Sequence, residues 1–199
     1  MANLIDSTYF KGDILLTNKT DLAADISEAI ARYEKEILIS LLGYKLYKQL
    51  VATPTVEPYK SLIEGAEFEL TFDGITQLQK WNGLKNSDKE SLIAFYTYYK
   101  YQERNFVKPS AISTVKAKAE NAETVTPVWK MINAWNEMIK LYGEFDNLWF
   151  AQSYTTIIQP DGGLVFNNDA SAFNYMSANV ALFPDWIFTP LRPINPFMI

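Results

Sequence analysis

Apolar residues recur at helical spacing in three long stretches, alternate at strand spacing in one, and crowd among prolines at the C-terminal end. The first stretch runs through Leu22, Ile26, Ala29, Ile30, Tyr33, Ile37, Leu38 and Leu41, with Thr20 or Asp21 as cap and Gly43 as terminator. A shorter helix is expected over Tyr44–Val51, and Pro54 and Pro58 then break the chain before one or two helical turns at Tyr59–Glu64. A second long helix is predicted from Ser87, with Glu90 completing a capping box, to about Asn105. Leu92, Ile93, Phe95, Tyr96, Tyr98, Tyr99 and Tyr101 make it apolar nearly all round, which places it centrally between other elements. The third opens with Thr126 as cap and Pro127 in the first turn. Its stripe is Val128, Met131, Ile132, Trp135, Met138, Ile139 and Tyr142, and Phe145, Leu148, Trp149 and Ala151 prolong the pattern past Gly143.

Between these helices the period changes. Phe68, Leu70 and Phe72 alternate with Glu67, Glu69 and Thr71 before Asp73-Gly74, the pattern of a hairpin over 67–79. Such a hairpin is marginal alone and needs the helices or a neighbouring subunit. Val107–Glu120 reads as extended, Thr155–Ile158 and Leu164–Phe166 as paired strands around Gln159–Gly163, and Ala170–Val180 as a short helix. The expected fold class is mainly α: a bundle of three long helices plus short helices, a small β-hairpin, and extended N- and C-terminal arms. Residues 1–20 form the N-terminal arm, 21–156 the helical core with the hairpin inserted at 67–79, and 157–199 the turn, short helix and proline- and aromatic-rich tail.

That tail differs from everything before it. Its last 16 residues hold four of the nine prolines, interleaved with Trp186, Ile187, Phe188, Leu191, Ile194, Phe197, Met198 and Ile199, and only Asp185 and Arg192 are charged. The prolines exclude a helix or a central strand, and so apolar a segment does not stay in water. It docks either on its own domain or on a partner. Composition leaves both open.

The absences narrow the chemistry. Without Cys or His the chain has no thiolate nucleophile, zinc–thiolate site, imidazole base or disulfide. Only carboxylate, Lys or Tyr chemistry and oxygen-ligated cations remain, and no motif supports them. Glu34 and Glu36 face different directions on one helix. Asp161-Gly-Gly with Asn167-Asn168-Asp169 lacks the spacing and terminal Glu of a calcium loop, and no phosphate-cradling loop is present. The expectation is a non-enzyme with no cofactor, no metal and no catalytic residues.

The formal net charge of −5 disfavours a dedicated nucleic-acid binder. It is uneven, with seven basic residues from Lys85 to Lys118 against Asp88, Glu90 and Glu103, a local +4 that leaves −9 elsewhere. A solvated helix face accounts for this, and a docking patch for an acidic partner is the alternative. The row Phe95–Tyr101 reads as core packing rather than a base-stacking platform. The N-terminus has no targeting signal and no apolar run is long enough for a membrane helix, so a soluble protein made in a cytoplasm is expected.

Several landmarks occur in order along nearly the whole chain: LIDSTYF from Leu4, EKEILISLLGYKLYKQL from Glu34, KWNGL from Lys80, SLIAFYTYYKY from Ser91, NAETVTPVWKMINAWNEM from Asn121 and WIFTPLRPINPFMI from Trp186. In these the chain resembles the head-to-tail connector (adaptor) proteins of tailed bacteriophages, of the type found in phages and prophages of Bacteroidetes. The resemblance implies a structural virion protein at the head–tail junction. It implies a homo-oligomeric ring, a dodecamer, that docks under the portal protein, extends the DNA channel without specific DNA binding, and attaches tail proteins. On that reading Trp186, Phe188, Leu191, Arg192, Phe197 and Ile199 bind the portal or a neighbouring subunit, and a chain cut before Asp185 stays a folded monomer. The rival from a different class is a monomeric helical ligand- or protein-binding module of the cytoplasm.

Overall fold

In a computed structural model, residues 3–16, 22–72, 75–106, 108–109, 114–115, 128–143, 156–158, 164–166 and 169–194 are described. They form a mainly helical protein with a small antiparallel hairpin. Helix α1 (Leu22–Leu42) buries Ile26, Ala29, Ile30, Tyr33, Ile37, Leu38 and Leu41, the stripe its spacing predicts. Gly43, at φ +76°, ends it and starts α2 (Tyr44–Ala52), which buries Leu46 and Leu50; α3 (Tyr59–Glu64) buries Leu62 and Ile63.

Strands β1 (Ala66–Phe72) and β2 (Ile75–Trp81) pair antiparallel from Ala66↔Trp81 to Phe72↔Ile75. The pairs β3 (Lys108–Pro109) with β4 (Thr114–Val115) and β5 (Thr156–Ile158) with β6 (Leu164–Phe166) are also antiparallel. The sequence pattern gives no sign of β7 (Asp169–Ala170), which adds parallel to β2 and makes the sheet three-stranded. Trp81 fixes the hairpin to the helices. Its indole donates to the Leu62 carbonyl at 2.9 Å, and its ring stacks on Tyr175 of α6 (Ala172–Ala178).

Helix α4 (Leu92–Phe106) packs on α1 on one side and on α5 (Val128–Tyr142) on the other. Tyr96, Tyr98 and Tyr101 are buried, so the aromatic row is core. The capping box does not form. Asn86 bonds the backbone of Glu90, Lys89 takes φ +54°, and Ser91 supplies the cap, accepting from the Ile93 amide at 3.2 Å while donating to the Leu84 carbonyl at 2.7 Å.

Three further expectations are corrected. Helix α5 stops at Tyr142, because Gly143 has φ +92° and a Cβ there would meet Ser171 Cβ at 2.9 Å and Phe173 Cβ at 2.6 Å. Val128 is exposed rather than part of the buried stripe, which is Ala134, Met138, Ile139 and Tyr142. The N-terminal segment is not simply the extended arm expected: short 3-10 turns at Ser7–Tyr9 and Gly12–Ile14 lay Leu4, Ile5, Tyr9, Phe10, Ile14 and Leu16 into the common core. Thr20, Asp21, Asp73-Gly74, Ser110–Ile112, Lys116–Ala119, Thr126-Pro127, Phe145–Ala151 and Gln159–Gly163 lie outside the described residues. Among the described residues no helix is long and apolar enough to cross a membrane.

Candidate functional site

The last four carbonyls of any helix lack partners within it. In α1 these belong to Ile39, Ser40, Leu41 and Leu42. Gly43 N–H serves the first at 2.8 Å, and the C-terminal segment serves the other three: Thr189 N–H bonds Ser40 at 2.9 Å, Trp186 Nε1–H bonds Leu41 at 2.8 Å, and Ile187 N–H bonds Leu42 at 3.2 Å. Proline-rich backbone makes this possible, since a chain barred from helix and sheet keeps its remaining amides for other acceptors.

Side chains lock the same segment down. Phe188 lies 5.0 Å from the Tyr142 ring, 4.8 Å from Phe173 and 5.9 Å from Trp186, an aromatic cluster shared by α5, α6 and the tail. Tyr142 donates its hydroxyl to the Thr189 carbonyl at 2.7 Å, and burial raises its pKa, so it stays a neutral donor. Trp135 Nε1–H bonds the Arg192 carbonyl at 2.7 Å. Asn136 makes a two-way amide clasp with Ile194, at 2.9 and 3.2 Å. Asp185 accepts from Lys45 at 2.7 Å and from Gln49 at 3.0 Å, which hold its carboxyl below the usual carboxylate range.

Trp186, Phe188 and Leu191, each half-buried, pack against the chain's own core. The Arg192 side chain is exposed and its carbonyl is engaged, while Phe197 and Ile199 lie outside the described residues. Among the described residues of the tail, Ile187 is an exposed large apolar side chain, 67% exposed, over Gly43; Tyr44, which follows Gly43 in the chain, is 61% exposed.

A cleft of about 630 Å³ opens between the N-terminal turns, the 82–90 loop and α5. Its cations are committed to local structure: Lys11 bonds the Asp88 carbonyl, Lys89 bonds Thr8 at 2.7 Å, and Lys140 pairs with Glu137. Among the described residues no group of acidic side chains is arranged to hold a metal ion. Glu34, the one buried carboxylate among the described residues, lies elsewhere. Burial raises its pKa, and its oxygens accept the Leu4 amide at 2.9 and 3.1 Å, a role in holding the N-terminal segment. Glu36 instead accepts from Tyr96 of α4 at 2.6 Å, so the two carboxylates do face different elements.

The third surface is the hairpin. Its outer face shows Glu67, Glu69, Thr71, Thr76 and Lys80 around Leu78, an apolar side chain 60% exposed at the middle of a strand. Sequence alternation marks this face, and the pairing Glu69↔Leu78 fixes which residues share it. No protein-family model matches the chain, and no curated protein or solved structure matches it either.

Proposed function

We propose that this protein is a non-catalytic subunit that works by contact, a head–tail connector (adaptor) of a tailed bacteriophage virion. The observation that carries the reading is the hairpin: an outer strand with no partner strand among the described residues, beside an exposed Leu78. Such an edge is a liability in a monomer and a joint in an assembly. The ordered sequence landmarks point the same way.

On this reading α1, α4 and α5 are the three-helix bundle that carries the joints. Subunits assemble as a ring, commonly twelvefold, that docks under the portal, extends the DNA channel and offers a surface to tail proteins. The net charge of −5 per chain lets DNA pass with few counter-charges to hold its phosphates. On this reading the exposed Tyr44, Ile187 and Arg192 side chains join the half-buried Trp186, Phe188 and Leu191 as the portal-facing contacts.

The cleft beside the N-terminal turns supports a second reading, a monomeric helical binding module. Light scattering after size exclusion separates the two. A ring, or a stoichiometric complex with a portal assembly, is expected; a monomer at every concentration that ignores the portal would favour the binding module.

A further inference from the structure

The sheet ends at β1, and among the described residues nothing pairs with its outer side. Two residues separate Phe72 from Ile75, so that pair closes the hairpin with hydrogen bonds. Bonded pairs then recur at Leu70↔Gln77, Phe68↔Gln79 and Ala66↔Trp81. The amides and carbonyls of Glu67, Glu69 and Thr71 therefore point away from β2, as a template for one more strand. Their side chains share the exposed face, while Phe68 is buried and Leu70 half-buried on the other.

A matching strand must carry cations two residues apart on one face and small apolar residues on the other. Val115-Lys116-Ala117-Lys118-Ala119 has that pattern, and Lys116 and Lys118 are the only two basic residues in the chain that stand two apart. Glu67 and Glu69 have the same spacing on the strand edge. Its first residue, Val115, belongs to β4.

We infer that Val115–Ala119 of a second copy of this chain adds as a strand to the edge of β1. Lys116 and Lys118 face Glu67 and Glu69, and Val115, Ala117 and Ala119 extend the apolar face beside Phe68 and Leu70. Because the edge and the added strand are different parts of the chain, the contact is heterologous and repeats head to tail, closing into a ring where the rotation permits. The inference rests on the connector reading and names the joint between its subunits.

Charge exchange in the full chain tests it. Glu67→Lys with Glu69→Lys, and separately Lys116→Glu with Lys118→Glu, are compared with wild type by light scattering over a concentration series. Wild type is expected to assemble. Each double variant is expected to stay monomeric with an unchanged circular dichroism spectrum, and their equimolar mixture to assemble again, since each supplies the charge the other lacks. A wild-type chain that stays monomeric, or double variants that assemble as it does, would overturn the strand addition. The connector reading fails separately, if the charge exchange behaves as expected but the assembled chain does not bind a portal.

Discussion

Gly43 meets two demands at once: a φ of +76° between two helices, and a tail so close that a Cβ would lie 2.9 Å from Ile187 Cβ. An alanine there is strained by both, so Gly43→Ala should destabilise the protein by about 2 kcal/mol or more, read as a lowered urea midpoint. Glu34 gives a pH signature. Burial raises its folded-state pKa against the smaller opposing effect of the Leu4 and Ile5 amides. Its contribution to stability is therefore complete below the unfolded-state pKa and is lost as the pH rises through the folded value. Glu34→Gln cannot ionise, so it should gain stability relative to wild type as urea unfolding is repeated from acid to neutral pH. A difference that does not change with pH would contradict the assignment.

Elements were legible where they carry their own period. The stripe of α1, the boundaries of α2 and α3, and the alternation of β1 all lie in runs of adjacent residues, where side-chain direction follows from spacing alone. Their ends were not legible when the terminating groups come from elsewhere. Ser87 and Glu90 satisfy the capping rule, yet Asn86 takes the Glu90 backbone and the cap passes to Ser91, whose hydroxyl also reaches Leu84. Ser91→Ala removes both bonds and should cost about 1–2 kcal/mol in thermal or urea unfolding. Ser87→Ala, at an exposed position, should cost little. Strand β7 was invisible for a related reason: two residues have no period, and only the distant Lys80 and Trp81 make them a strand.

At the scale of the molecule the decisive contacts join the two ends of the chain to its middle. Composition shows that the tail is apolar, but not that the carbonyls of Ser40, Leu41 and Leu42 wait for it. That partnership depends on where α1 ends in space, which no local pattern records. A chain ending at Pro184 leaves those carbonyls and the Tyr142–Phe173 cluster uncovered. It should lose about 5 kcal/mol or more, enough to abolish a cooperative unfolding transition in a domain of ordinary stability. A truncated chain that melts cooperatively near the wild-type temperature would refute this. The outer edge of β1 is the complementary case, a feature legible in sequence as alternating charge and, among the described residues, left without a partner strand.

On the proposed function the tail belongs to the subunit, and the β1 edge belongs to its assembly. Amide hydrogen exchange, resolved to short peptides and followed from dilute to concentrated protein, tests both halves together. Ile187 and Thr189 should be protected even in the dilute subunit, whereas Glu67, Glu69 and Thr71 should exchange freely there and gain protection on assembly. Rapid exchange at Ile187 and Thr189 in the folded, dilute chain, with protection only on assembly, would contradict it and return the tail to a partner.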